Sequence, residues 1–182
     1  MRAFLILLLC AGPALAQPPD DSAHAEIDQL LTALPMAPND ETAARIESRV
    51  TVLWLKSGGP AVRLLLSHGV RNLSNNEPDE ALQDFNAALA LEPDLAEAFD
   101  RRALARYQDG DVAGAVHDLE EAVKREPRHF GAWRTLSSIA EGQKHYASAL
   151  AAWKKLLEID PKTADGQKHL RELTGLAEGE ES

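Results

Sequence analysis

The sequence predicts an all-α solenoid assembled from three copies of a helix–turn–helix unit. Four observations carry that prediction. An acidic residue followed by proline returns every 34 residues, as Glu92-Pro93, Glu126-Pro127 and Asp160-Pro161. In register with it run Ala81, Ala115 and Ala149, each followed four positions later by a large apolar residue: Phe85, Leu119 and Trp153. Leu65, Phe99 and Trp133 open the units at the same spacing. Finally, aromatic residues make up only 5% of a chain rich in Ala and Leu, a mix that favours helix on helix over sheet. One such unit cannot bury both helix faces, so at least three must stack.

Taken in chain order, the first element is a leader. In MRAFLILLLCAGPALA, Arg2 supplies a positive start, Phe4 to Ala11 an apolar run, and Ala14-Leu15-Ala16 a small-x-small cleavage pattern. Residues 1–16 therefore read as a signal peptide. The run is too short to span a bilayer, and no transmembrane segment is expected after cleavage. Cys10, the chain's one cysteine, lies inside the apolar run behind Leu9, so it is read as leader filler and not as a lipid attachment site. No disulfide can then staple the remainder.

Residues 17–59 read as a helical hairpin. Ile27, Leu30, Leu31 and Leu34 fall on one helix face, Pro35 and Pro38 break it, and Ile46, Val50, Leu53 and Trp54 mark a second helix ended by Ser57-Gly58-Gly59. This pair lacks the repeat columns and is expected to cover the apolar side of the first repeat. The repeats occupy 60–163, divided as 62–95, 96–129 and 130–163. Turns inside them are expected at SNNEP (74–78), QDGD (108–111) and EGQKH (141–145). Each proline ends one helix or starts the next and forbids a continuous rod. A capping helix over 164–176 turns Leu170 and Leu173 inward and Gln167, Lys168, Arg171 and Glu172 outward. The acidic tail, 177–182, is expected to be disordered.

At the residues Ala81, Phe85, Ala88 and Pro93, then Ala115, Leu119, Ala122 and Pro127, then Ala149, Trp153, Leu156 and Pro161, the chain resembles the tetratricopeptide repeat family. Gly69 and Ala103 take that family's small first-helix position, with Ser137 in the third copy. Asn72, Arg106 and Ala140 stand where its tyrosine is usual. The resemblance implies a right-handed α-solenoid with a concave surface built from the first helices, and a protein or peptide partner bound there.

The chemistry of the chain points the same way. A formal net charge of −10 argues against nucleic acid, which needs a basic face. His24, His68, His117, His129, His145 and His169 show no metal-ligand spacing and read as surface or edge histidines, so no metal and no cofactor is expected. Asp109-Gly110-Asp111 offers too few carboxylates for a calcium loop and reads as a turn. No nucleophile elbow, phosphate loop or dinucleotide fingerprint occurs, so no catalytic residue is assigned.

The candidate groove follows from columns 34 apart on the first helices. Its residues are Arg63, Leu66, Val70, Glu97, Asp100, Arg101, Leu104, Tyr107, Arg134 and Ser138. They make a trough that is apolar at the first repeat and charged at the second and third, where Arg101 and Arg134 can fork onto a partner carboxylate. Chaperone-binding members of the family hold a terminal carboxylate with lysine and asparagine at several of these columns. Leu66, Val70 and Leu104 occupy them here, and that specificity is not carried over. The expectation is a non-catalytic interaction module of the bacterial envelope, located in the periplasm. The alternatives are a structural or assembly subunit of an envelope complex, or a hydrolase. Exposure of Trp54 or Leu66 would favour the structural reading.

Overall fold

A computed structural model describes residues 21–180. The leader expected at 1–16 lies outside them. Among the described residues there are nine α-helices and no strand: α1 (Asp21–Ala33), α2 (Asp40–Leu55), α3 (Pro60–Ser74), α4 (Pro78–Leu91), α5 (Ala96–Gln108), α6 (Val112–Arg125), α7 (Phe130–Gly142), α8 (Tyr146–Ile159) and α9 (Gly166–Glu180), with a 3-10 turn over Leu34–Met36. The helices pair as α3–α4, α5–α6 and α7–α8, and each pair stacks on the next. This is an all-α solenoid of helix–turn–helix units.

Backbone chemistry repeats as faithfully as side chains do. Asn76, Gly110 and Lys144 all have positive φ, at 63°, 90° and 62°, and stand 34 residues apart. Each lets the following residue return a hydrogen bond to the last turn of the first helix: Glu77 N–H to Asn72 O at 2.9 Å, Asp111 N–H to Arg106 O at 2.8 Å, and His145 N–H to Ala140 O at 2.8 Å. This is a Schellman C-cap in triplicate, and it turns the chain inside every unit. The acid–proline column closes the units instead. The N–H groups of Glu92, Glu126 and Asp160 bond back to the carbonyls of Ala88, Ala122 and Leu156, after which the prolines prevent continuation.

Packing explains the small-residue columns. Ala81, Ala115 and Ala149 are fully buried. A Cβ added at Gly69 would meet Phe85 Cε1 at 2.5 Å, so the ring of α4 lies directly on the backbone of α3. Ser137 takes the same position in the third copy, and its hydroxyl donates to Ala149 O at 2.9 Å. The second unit adds an ion network between its helices. Arg102 donates to both oxygens of fully buried Asp118 at 2.8 and 2.7 Å, and Arg106 Nε lies 3.3 Å away.

Two apolar cores result. One runs through α3 to α7 and includes Leu66, Phe85, Phe99, Leu119 and Ile139. The second joins Ile27, Leu31, Leu34, Val50, Leu53 and Trp54 to Phe130, Trp153, Leu156 and Leu173. The N-terminal hairpin therefore packs on the third repeat and α9, a correction to its expected place over the first repeat. The reason is that Leu66 and Val62 are already enclosed by the repeats' own core, whereas Phe130 gains cover from Trp54 of the hairpin. The last helix also runs on to Glu180 where a tail was expected from 177, because Ala177 extends the buried face of Leu173 by one turn.

Two substitutions follow with opposite signs. Lys144→Gly relieves a left-handed lysine and raises stability by about 0.5–1 kcal/mol. Gly69→Ala lowers it by about 1–3 kcal/mol through overpacking against Phe85, outweighing roughly 1 kcal/mol of helix propensity. Urea unfolding followed by circular dichroism checks both.

Candidate functional site: the concave face and its internal helix

The inner faces of α5 and α7 meet α2. Thr51 and Trp54 of α2 line a cavity of about 190 Å³ together with Glu97, Asp100, Arg101 and Leu104 of α5 and Gly131, Arg134 and Thr135 of α7. Of the groove candidates, the structure brings Glu97, Asp100, Arg101, Leu104 and Arg134 together, and over repeats two and three a segment of the same chain lies against them. Arg134 pairs with Glu47 of α2 and donates to Thr163 Oγ1 at 3.0 Å. The Trp54 ring stacks on His129, with centroids 4.3 Å apart and planes within 5°, and tilts against Phe130 at 5.1 Å.

His129 organises this wall. It stands at the N-cap of α7, where its Nδ1 accepts from Ala132 N–H at 3.1 Å. Its Nε2 lies 3.1 Å from Glu97 Oε2. A ring that accepts at Nδ1 carries its proton on Nε2, so Nε2–H donates to Glu97. Burial alone would depress the basicity of His129, but Asp100 and Glu97 outweigh it and raise its affinity for a second proton. That proton must go on Nδ1 and cost the cap bond, so we assign the neutral Nε2–H tautomer. The expectation of surface or edge histidines fails here, since His129 is fully enclosed.

The two carboxyls divide their roles. Burial pushes Glu97 up, but the His129 hydrogen bond and Arg101, whose Nε donates at 2.6 Å, bring it below the ordinary range. Glu97 holds a charge. Burial pushes Asp100 up and the neighbouring Glu97 adds to it, against the pull of His129, Arg101 and Arg134. Its Oδ1 is buried without a hydrogen-bond partner. The ligand atoms of Glu97, Asp100 and His129 lie within 4.8 Å of one another, a spacing open to a cation. Such an ion would need the Nε2 lone pair, and hence a proton on Nδ1 facing the Ala132 N–H. The geometry fits a polar network better than a metal centre.

The other groove candidates distribute unevenly. Leu66 is 0% exposed and belongs to the core, which corrects its assignment to an open trough. Val70 is half-buried against the same core. Leu104 lines the cavity, while Arg63, Ser138 and Tyr107 are exposed, the tyrosine at 48%. Sequence reasoning missed Glu47, Thr51, Trp54, His129 and Asp160 as groove residues. Glu47, Thr51 and Trp54 carried a signal at i, i+4 and i+7 of one helix face, and His129 stands 34 residues from Leu95 and Thr163, just ahead of each first helix.

The fold defines a helical-repeat protein, and its inner wall carries α2 of the same chain. Residues 66–116 and 101–164 match the model of the tetratricopeptide repeat family, more than half of the chain. The chain belongs to the tetratricopeptide repeat family. It is 28% identical over 152 residues to a TPR repeat-containing protein of Rhizobium etli, covering 84% of this chain and 74% of that one. It is 49% identical over 55 residues to mouse tetratricopeptide repeat protein 36, covering 30% of each. Among solved structures, the first repeat domain of Spaghetti (RPAP3) bound to the HSP90 peptide SRMEEVD aligns with a TM-score of 0.60 at 18% identity, covering 65% of this chain and 94% of that one. MamA aligns at 0.58 and 19% identity, covering 87% and 86%. These likenesses agree with the solenoid.

Asp160 supplies a pH test of the α2 contact. Burial, with Glu47 of α2 beside it, raises its pKa from the ordinary 3.8 to about 6, against the Lys162 N–H bond and Arg134. The unfolded chain releases this proton near pH 4, whereas the fold keeps it to about pH 6. Stability should therefore fall as pH rises from about 4 to about 6, and stay lower above. Asp160→Asn keeps an Oδ1 acceptor for Lys162 N–H, 3.1 Å away. It should flatten that slope and add about 1–3 kcal/mol at pH 7.5. Unfolding midpoints across pH 4–8 measure it, and an unchanged slope refutes the assignment.

Proposed function

We propose that the chain is a non-catalytic interaction module of the bacterial cell envelope, periplasmic after loss of residues 1–16, that binds a protein or peptide on its concave face. One observation carries this reading: the inner faces of α5 and α7 already hold a polypeptide segment, α2, by an ion pair and a stacked ring. A surface that binds one helix through Arg134, His129 and Phe130 has the chemistry to bind another. The structures it resembles include repeat domains bound to HSP90 and Hsp70 peptides, and the leader-like start supports export. No described helix is long and apolar enough to cross a membrane.

The alternatives gain less. Trp54 and Leu66 are both buried, so the exposure that would favour a permanent structural subunit is not there. His129 is committed to its cap and to Glu97, so it is not poised as a base for hydrolysis.

Immobilised protein and periplasmic extract test the proposal. Arg101→Glu with Arg134→Glu should lose the partners that wild type retains. Because Arg101 is bonded to buried Glu97, a second pair, Tyr107→Ala with Ser138→Glu, probes the exposed part of the groove without touching that network. At least a tenfold loss of capture is the expected outcome, the order of a hot-spot residue. Identical partner sets for wild type and both variants overturn it.

A further inference from the structure

The fit of α2 in the groove is good at two places and poor at a third between them. Glu47, Thr51 and Trp54 occupy i, i+4 and i+7 on one helix face. Glu47 meets Arg134, and Trp54 meets His129 and Phe130. Thr51 lines the same cavity as Asp100, yet its hydroxyl donates to its own helix, at Glu47 O, 2.9 Å away. Asp100 Oδ1 is left buried and unpartnered beside a cavity of about 190 Å³. Asp100 is part of the wall of that cavity, and α2 supplies no donor to its unpartnered oxygen.

Resting on the groove reading above, we infer that the partner is an amphipathic helix presenting a carboxylate, an amine donor and an aromatic ring at i, i+4 and i+7, and that α2 is an internal stand-in which this helix displaces. When α2 leaves, Glu47 leaves with it, so Arg134 is freed to fork onto a carboxylate of whatever replaces it. The exposed flat face of His129 and Phe130 requires a ring. Asp100 takes the amine, which a lysine at the middle position reaches and a threonine does not. For α2 to move, the change falls on a short connector: α2 ends at Leu55, and residues 56–59 join it to α3, with Gly59 N–H donating to Glu92 Oε1 at 2.7 Å. Gly58 among them has φ +84°, a conformation open to glycine at low cost.

Three fluorescent peptides copying residues 40–57 test this: the native sequence, Thr51→Lys and Thr51→Glu. They are titrated by anisotropy against the exported chain in three forms. These are wild type, Trp54→Ala to loosen α2, and Thr51→Cys with Thr135→Cys closed by a bismaleimide, since both positions line the cavity. The lysine peptide should bind about tenfold or more tighter than the native one, the worth of one charge-assisted hydrogen bond, and the glutamate peptide weakest. Trp54→Ala should bind all three more tightly. The closed form should bind none, and its uncrosslinked parent should recover binding. Asp100→Asn should erase the preference for lysine.

Circular dichroism checks that Trp54→Ala remains folded. If it does not, the closed and uncrosslinked forms of one protein decide the question alone. Equal binding of the three peptides, or unchanged binding on closure, overturns the inference. No binding to any form overturns it too, while capture of partners that depends on Arg101, Arg134, Tyr107 and Ser138 would leave the groove reading standing.

Discussion

One imidazole holds three helices in their places. His129 caps α7 with Nδ1, donates from Nε2 to Glu97 of α5, and offers its face to Trp54 of α2. Each contact constrains the others. The cap fixes the ring's tautomer, the tautomer fixes Glu97 as the acceptor, and the bond to Glu97 sets the ring plane on which Trp54 lies. Arg101 completes the arrangement by taking the second oxygen of Glu97. The seam between the second and third repeats, the inner wall of the groove and the seat of α2 are consequently one construction.

That construction shows how a solenoid with no disulfide among its repeats handles charge at a buried seam. Two carboxyls, Glu97 and Asp100, sit one helical turn apart and cannot both be stabilised as anions by the same neighbours. The His129 bond and Arg101 go to Glu97, which becomes the charged member. Asp100 receives only longer-range attraction and keeps a free oxygen. On the far side of the second repeat, Asp118 is as deeply buried but takes a bidentate arginine, so its charge is fully satisfied. The contrast separates a structural ion pair from a polar wall that still has an unmet bond.

Much of the fold was legible because it depends on local chemistry that repeats. Proline, alanine and the four-later apolar residue act within one helix turn or one helix pair, so their spacing survives as a visible period. The left-handed column was written in the same period but in three different residues, Asn76, Gly110 and Lys144, and only backbone angles reveal it as one feature. The groove was legible as a set of columns and illegible as a surface. Leu66 shares its column with Asp100 and Arg134, yet it is swallowed by the core of α3 to α7. The placement of α2 depends on Glu47 finding Arg134, a contact across 87 residues that no local pattern encodes. His129 was passed over for a related reason: it looked isolated in sequence, while its partners arrive from residues 54, 97 and 132.

The occupied groove also bears on how strongly any partner can bind. A segment held in cis reduces apparent affinity by the fraction of molecules in which the groove is free, so a hundredfold preference for the closed form weakens binding about a hundredfold. The seat of α2 sets that preference, and burial of Val50, Leu53 and Trp54 favours the covered form. Its ion pair and stacked rings are opposed by unpartnered oxygens on Asp100 and Asp160, each costing about 1–3 kcal/mol, and by an incompletely filled cavity. A perfectly complementary α2 would leave no unmet bond in the groove for a partner to satisfy. As it stands, α2 covers Phe130 with Trp54 and leaves Asp100 Oδ1 unsatisfied. On the proposed displacement of α2, the poor fit at Thr51 is the property that reconciles a covered groove with binding.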